Sequence, residues 1–395
     1  MRILTINCGS STLKFELFEA ADREQSVARG VVDRIGWPGR IELSGEGGER
    51  WVRSIAAADH GEAALQAIRL LDSSDLLGGL EAVGHRVVHG GARFSGPTLL
   101  DAGAEEAIEE LAELAPLHNG PALAATRTVR EVLGPGIPQV VCFDTTFHSR
   151  MPRVARLFAL PRRLADEGVL RYGFHGLSYE YTIGELRALN PVAAAGRVVI
   201  AHLGNGSSMV AVRGGVGVDT TMGFTPTGGL MMGTRPGDLD PGVVLYLLEE
   251  KGLSPPEVGE LINTQAGLLG VSATSADMRD LLNREANDPH AAEAVALFCY
   301  QAKKVLGALA AALGGLDTLV FTGGIGEHAA TVRERICEGL GFLGLRLDGS
   351  RNVEHAPVVS RDDSPVTVRV IPTDEDLMIA RHTRRLLMPT TKEGA

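Results

Sequence analysis

The chain opens on two short apolar-rich runs, RILTIN and LKFELF, parted by the polar turn CGSST. Two such runs on either side of a small-residue turn predict a pair of strands. Residues 33–54 are polar and glycine-rich around Trp37-Pro38-Gly39, which predicts an exposed hairpin. Helical spacing follows. Over 104–115, Ala104, Ala107, Ile108, Leu111 and Ala115 share one face with glutamates elsewhere, and the pattern stops before Pro116. Asp240-Pro241-Gly242 predicts a helix capped by Asp240 and closed by Gly252, and Ser275 predicts the cap of a helix carrying Asp277 and Arg279. The runs at 198–204 (VVIAHLG), 318–324 (TLVFTGG) and 366–371 (VTVRVI) read as buried strands. Strands alternating with helices predict α/β layers.

One internal similarity organises these elements. CGSSTLKF at 8–15 resembles NGSSMVAV at 205–212, each following an apolar strand and leading into another. The offset is close to half of the 395 residues, which points to duplicated halves. Two such halves are expected to face one another across a cleft, and turns of this kind present backbone N–H groups to phosphate.

Composition narrows the function. Lys and Arg number 38 against 49 Asp and Glu, a net charge of −11 with no basic run, which argues against nucleic-acid binding. The N-terminal apolar run stops at Asn7, too short for a signal-peptide core, and the apolar stretch from Val305 to Leu313 is half a membrane span. A cytoplasmic chain with no membrane partner is the expectation. Cys8, Cys142, Cys299 and Cys337 form no C-x-x-C pair and read as small buried hydrophobes in a reducing compartment. Glycine is high, 49 residues against the ~7% average, which means that many backbone positions need room.

The candidate chemistry lies in the glycine-rich turns. In the first hairpin Ser10, Ser11 and Thr12 supply hydroxyls and Lys14 a cation, a set suited to phosphate. His202-Leu203-Gly204-Asn205-Gly206-Ser207-Ser208 repeats the logic. Gly323-Gly324-Ile325-Gly326-Glu327 follows a strand and precedes a helix expected from about Ala329. None of these is a G-x-G-x-x-G or a P-loop, so neither a dinucleotide nor a P-loop enzyme is indicated. Arg86, in GHRVVHGG, and Arg235, in GTRPGD, are cations in glycine-rich, apolar settings, as anion grips require. His175 sits in the small-residue loop YGFHG, and His118 follows Pro116-Leu117. Asp144 ends the strand VVCFD, where a carboxylate can serve Mg²⁺, and Glu375 opens the last helix after IPTD. A lone loop His or Arg is more often structural; their gathering in several such loops is the signal.

Taken in order, the blocks NCGSSTLK, GHRVVHGG, PLHN, FDTTFH, YGFHGLS, AHLGNGSS, TMGFTP with MMGTRPGDLDP, FTGGIGE and PTDEDLMIAR resemble the acetate kinase (acetokinase) family nearly end to end, from Asn7 to about Arg381. That family shares its fold with sugar kinases, actin and the seventy-kilodalton heat-shock chaperones. The resemblance implies an α/β chain of two duplicated ribonuclease H-like domains, an actin-like ATPase fold flanking a nucleotide cleft. The first domain would be residues 1–150 with 375–395, the second 151–374, and the molecule a homodimer.

The resemblance also implies the reaction ATP + acetate ⇌ ADP + acetyl phosphate, with Mg²⁺ or Mn²⁺. It implies Asn7 and Glu375 as metal residues, and Ser10, Thr12 and Lys14 on the phosphates. Nucleotide would lie along His202, Leu203, Gly204, Asn205 and Gly206, along Asp277, Met278 and Arg279, and along Gly324, Ile325, Gly326, Glu327 and His328. Arg86 and His118 would serve acetate, with Val88, Leu117, Phe174 and Pro226 around its methyl. Asp144, His175 and Arg235 would be catalytic. Because a carboxylate is ionised at pH 7, its attack needs no general base, and the task is neutralising charge and aligning two anions. Asp144 is therefore read as a metal-organising residue more than a proton acceptor. Thr12 stands where serine is common, His328 and Asp374 where asparagine is. Alternatives are a propionate or butyrate kinase of the same family and, in a different class, an actin- or chaperone-like ATPase, which needs no carboxylate-gripping arginine.

Overall fold

The two apolar-rich runs form strands β1 (Arg2–Cys8) and β2 (Thr12–Ala20), paired antiparallel as expected. A computed structural model of the chain describes residues 1–21, 24–112 and 116–388, the side chains of 116–118 excepted. These residues divide into two units, Met1–Thr146 with Asp374–Ala395, and Phe147–Thr373.

In the first unit β1, β2, β3 (Glu24–Asp33), β4 (Pro38–Gly45), β5 (Arg50–Ala56), β6 (Leu80–Val87), β7 (Thr98–Leu99) and β8 (Gln139–Phe143) make one sheet, ordered β5-β4-β3-β2-β1-β6-β8-β7. The pairs β1–β6 and β6–β8 are parallel. Successive side chains on β1 serve opposite cores. Leu4 and Ile6 pack with the His60–Ser73 helix and with Ala125 and Val129 of the Pro116–Leu133 helix, whereas Ile3 packs with Ala380 of the Glu375–Leu387 helix. Burial of both faces explains why these strands read as near-continuous apolar runs.

In the second unit β9 (Arg197–Leu203), β10 (Ser207–Arg213), β11 (Val216–Thr220), β12 (Thr318–Thr322) and β13 (Thr367–Val370) are ordered β11-β10-β9-β12-β13. A β9–β10–β11 antiparallel meander leads, and β12 and β13 extend it in parallel. The central strands of the first unit run in the same sense, β3-β2-β1-β6-β8, so the duplication suggested by the two GSS turns is present as topology. The two-sheet α/β architecture is that of the actin-like ATPase fold. One face of the second sheet packs on the Pro289–Leu313 helix, through Val295, Phe298 and Leu306. The other packs on Tyr179, Ile183 and Leu186 of the Gly176–Leu189 helix. Among the described residues, Pro289–Leu313 is the helix long and apolar enough to cross a membrane, and it is the core helix of this unit.

Several local expectations change. The Trp37-Pro38-Gly39 hairpin forms, with Trp37 exposed, but Ile41 and Leu43 on β4 are buried, so only one face of the hairpin meets solvent. The helix read over 104–115 spans Ala102–Leu111, and Pro116 opens the next helix, as a first-turn proline can. Asp277, not Ser275, caps the Met278–Arg284 helix, accepting from Arg279 N at 2.8 Å. Ser275 Oγ accepts from Asp277 N and donates to Asp280, bracing that cap. The glycines after β12 are not a bare turn. Gly323–His328 is itself a short helix, followed by the Ala330–Cys337 helix.

Candidate active site

The first cluster is assembled by strand register. Asn7 on β1 lies opposite Lys14 on β2 and Arg86 on β6, so the three side chains share one sheet face near the carboxyl end of β1. Asp144 follows β8, parallel to β6. Arg86 grips it twice, Nε to Oδ1 at 2.9 Å and Nη2 to Oδ2 at 2.6 Å, and Nη1 donates to Asn7 Oδ1 at 3.0 Å. Glu375, at the start of the last helix, accepts from Asn7 Nδ2 at 3.1 Å and pairs with Arg86 at 3.5 Å. Asp144 is fully buried. Burial disfavours the Arg86 charge, but Asp144 and Glu375 outweigh it and hold the guanidinium above its ordinary value.

The last helix reaches this cluster because β6 carries Gly84. A Cβ there would stand 2.4 Å from Thr383 Oγ1 and 2.5 Å from Ile379 Cγ2. Asp374 then caps the helix through Leu377 N at 2.9 Å, setting Glu375 in the first turn. In the hairpin beside it, Gly9 N donates to Thr12 O at 2.8 Å and His60 Nε2 donates to Gly9 O at 2.8 Å. Ser10 and Lys14 are exposed.

The second cluster belongs to the second unit. His175 precedes the Gly176–Leu189 helix with a left-handed φ of 58°. That conformation costs a non-glycine residue on the order of 1 kcal/mol or more. Its loop is braced from behind: His148 Nε2 donates to Phe174 O at 3.0 Å, and a Cβ at Gly173 would meet the His148 ring at 2.6 Å. The His175 ring stacks on His202 with centroids 4.2 Å apart, and Nδ1 bonds Ser208 Oγ at 2.8 Å. Ser208 Oγ in turn bonds buried Tyr179 Oη. A parallel set holds His202, whose Nδ1 meets Ser178 Oγ at 2.8 Å, itself bonded by Thr373 Oγ1 at 2.8 Å.

Arg235 joins this cluster through two ties. Its Nη1 donates to Pro226 O at 2.6 Å, and Gly233 N donates to Asn205 O at 2.9 Å, binding its loop to the second hairpin. A Cβ at Gly206 would stand 2.8 Å from Arg235 Nη2 and 3.1 Å from His175 Nε2. Gly206 thus leaves backbone open directly beneath a guanidinium and an imidazole.

The residues read from sequence fall into these clusters with some exceptions. Leu203 and Met278 bury their side chains in the core, whereas Asp277 and Arg279 are exposed and pair with each other at 3.1 Å. Gly324 and His328 are exposed, Ile325 is half-buried and Gly326 buried, all on the Gly323–His328 helix. Glu327 Oε1 accepts from Gly323 N at 2.8 Å and holds that helix's own start. Val88 is buried in the first unit, Phe174 and Pro226 in the second. The side chains of Leu117 and His118 lie outside the described residues. Sequence reasoning did not single out His60, His148, Ser178, Tyr179 or Thr373, and took Ser208 only as a hydroxyl of the second Gly-Ser turn, not as the partner of His175. YGFHGLSY and FDTTFH carry Ser178, Tyr179 and His148.

The profile of the acetokinase family matches residues 2–381. The chain belongs to that family. An acetate kinase of Rhodopseudomonas palustris is 47% identical over 392 residues, covering 97% of this chain and 98% of that protein. The crystal structure of Porphyromonas gingivalis acetate kinase superposes with a TM-score of 0.88 at 38% identity, covering 98% of this chain and 99% of that one. A propionate kinase from Francisella tularensis superposes at 0.91 with 35% identity, covering 97% and 99%.

The acetokinase chain gathers hard oxygen donors at the first cluster, Asn7 Oδ1 and the carboxylates of Asp144 and Glu375, with Asn7 Oδ1 and both Asp144 oxygens bonded to Arg86. Among the described residues no three acidic, histidine or cysteine side chains form a cage. That donor set fits Mg²⁺ of the kind held by one or two carboxylates plus water and substrate phosphates.

Proposed function

We propose that the chain transfers the terminal phosphoryl group of ATP to acetate, reversibly, giving acetyl phosphate and ADP. The observation that carries this reading, in a chain of this family, is the convergence of Arg235 and His175 over Gly206. Such a pair neutralises charge on a transferring phosphoryl group, and the missing Cβ of Gly206 lets the guanidinium and the imidazole converge on the hairpin backbone. The acceptor carboxylate is ionised at pH 7 and attacks directly, so no residue must remove a proton. Arg86 suits that carboxylate through the outer Nη1–Nη2 edge of its planar fork, the Nε–Nη2 edge being held by Asp144. Asp144, bonded twice to Arg86, sets the plane of the fork.

Asn7 and Glu375 would hold Mg²⁺ or Mn²⁺, which when bound would neutralise phosphate charge. Lys14, with Ser10 and Thr12, would meet the phosphates from the first hairpin. His202–Gly206, Asp277–Arg279 and Gly324–His328 would line the nucleotide, and Val88, Phe174 and Pro226, with Leu117 and His118, the acyl group. The four buried, reduced thiols support a cytoplasmic setting. A homodimer is part of the proposal: the Pro241–Glu249 helix buries none of its residues and exposes Val243, Leu245 and Tyr246.

ATP-dependent hydroxamate formation with acetate, propionate and butyrate tests the reading. Trapping with acetate as the best substrate is the expected result. No trapping with any of the three overturns it in favour of an ATPase. The likeness to a propionate kinase keeps that acceptor as the second reading, since one methylene is worth only ~1–3 kcal/mol of discrimination.

A further inference from the structure

The largest fully buried side chain among the described residues is an arginine that the reaction does not use. Arg333, on the Ala330–Cys337 helix, is 0% exposed and forms no ion pair among the described residues. Its five N–H groups meet five acceptors. Nε donates to Asn352 Oδ1 at 2.8 Å. Nη1 donates to Gly326 O and Glu327 O, both at 2.9 Å. Nη2 donates to Asn352 O at 2.7 Å and to His355 Nδ1 at 3.1 Å. Asn352 Nδ2 closes the set on Ala330 O at 2.9 Å. Burial draws the guanidinium down to about 10, with only the Cys337 thiol opposing, so it remains charged at neutral pH.

A buried cation without a carboxylate is costly unless every donor is met, and here carbonyls meet most of them. Two of those carbonyls, of Gly326 and Glu327, lie in the last turn of the Gly323–His328 helix, where the helix dipole favours a cation. The start of the same helix is held by the Glu327 carboxylate, which accepts from Gly323 N and from Thr373 N at 3.2 Å. Its first residue, Gly323, has φ 78°, and a Cβ there would meet Leu203 O at 2.7 Å. A six-residue helix is marginal alone. This one is pinned at both ends.

We propose that Arg333, held by Asn352, is a positioning residue for nucleotide affinity: it fixes the Gly323–His328 helix that presents Gly324 to His328 to the nucleoside. The inference rests on the reading in which that helix lines the nucleotide. Lysine cannot replace the guanidinium, because one ammonium cannot serve five acceptors spread over two helices and a loop. Among the described residues, none of the hydrogen bonds of Arg333 reaches the first hairpin, which would meet the phosphates, so the effect is expected on the nucleoside side.

Calorimetric titration of ADP and of inorganic tripolyphosphate into the full-length protein and two variants tests it. Arg333→Lys is expected to weaken ADP by about 30-fold or more and Asn352→Ala by about 5-fold, the scale of lost hydrogen bonds to a charged group. Tripolyphosphate affinity, the KM for acetate and kcat at saturating ATP are expected to stay within about 3-fold. An Arg333→Lys protein that melts as a folded chain and binds ADP within 2-fold of wild type overturns the proposal. So does equal weakening of ADP and tripolyphosphate, which marks a general loss of structure. If Arg333→Lys does not fold, Asn352→Ala decides by the same criteria. Wild-type protein that binds tripolyphosphate but not ADP sinks the nucleotide reading of the helix itself, a result distinct from variants that match a binding wild type.

Discussion

The two hairpins that open the two sheets share a strand sense and a Gly-Ser turn, yet their strand ends are held by different forces. In the first unit the polar groups close on one cation: Asp144, Asn7 and Glu375 all engage Arg86. In the second unit the side chains link as hydroxyl–imidazole chains, Tyr179–Ser208–His175 and Thr373–Ser178–His202. Repetition of a backbone therefore did not repeat a chemistry. Charge pairing in a buried setting holds groups strongly but leaves a large penalty when one partner is lost. Chains of hydroxyl and imidazole groups cost less to disturb and act by aiming lone pairs.

The sharpest break of this contrast is at Asp144. Asp144→Asn removes the buried counter-charge and one of two charge-assisted bonds. Turnover should be abolished in the hydroxamate assay, and thermal unfolding should report a loss of about 3–5 kcal/mol. The dependence on Mg²⁺ concentration should weaken as well. Near-normal activity would count against both a metal-organising role and the Arg86-orienting role. Next in size is Arg235→Leu, in the second unit, expected to lower kcat by ~10³ as loss of an arginine that stabilises a transferring phosphoryl group does. A change confined to KM would move Arg235 to ground-state binding.

Acid should weaken the two units alike, because each buries a neutral histidine. Burial pushes His85 to about 4 in the first unit, against a bond to Gln139, and His148 to about 4 in the second, against its bond to Phe174 O. An unfolded histidine titrates near ~6.5, so the unfolded state takes up protons first as pH falls. Stability from these groups is complete above pH 6.5 and is lost between about 6.5 and 4. Each should contribute a loss of about 2 kcal/mol between pH 7 and 5, read by urea unfolding. His148→Gln does not titrate there and should flatten the pH slope by that amount; an unchanged slope would show that His148 is not its source.

Much of this was legible in the chain. The GSS repeat predicted paired hairpins, and the strands at 198–204, 318–324 and 366–371 were marked by their β-branched runs. Asn7, Arg86, Asp144 and Glu375 were visible as polar residues at strand or helix ends, and register then brought three strands and a helix together. What stayed hidden has physical reasons. Ser275 and Asp277 are both good caps two residues apart, and the choice depended on Ser275 Oγ bonding Asp277 N. The Gly323–His328 helix could not be read because glycines disfavour helices, and its stability comes from Glu327 and Arg333. Arg333 itself sits in VRERI, which looks like a solvated helical face. Tyr179 looked like an apolar ring, and only the fold shows its hydroxyl meeting a serine twenty-nine residues on.

The gentlest test separates aiming from packing in the Tyr179–Ser208–His175 chain. Tyr179→Phe keeps the ring, which is fully buried against Ile183 and Val210, and removes only the hydroxyl that meets Ser208. Ser208 still reaches His175 Nδ1, so the stability cost should be about 1 kcal/mol. If the chain orients the imidazole over Gly206, kcat should fall about 10-fold while the KM for ATP stays constant, because a slightly misaimed group is felt chiefly in the transition state. The imidazole ¹⁵N shifts of His175 should change with it, since the hydrogen bonding of Ser208 toward Nδ1 is altered. A lower melting temperature with unchanged kcat and unchanged His175 shifts would reduce Tyr179 to a packing residue. The second unit's site would then depend on Arg235, the stacked His175–His202 pair and the left-handed turn, and the contrast between charge pairing in one unit and aimed hydroxyl and imidazole groups in the other would lose its mechanistic half.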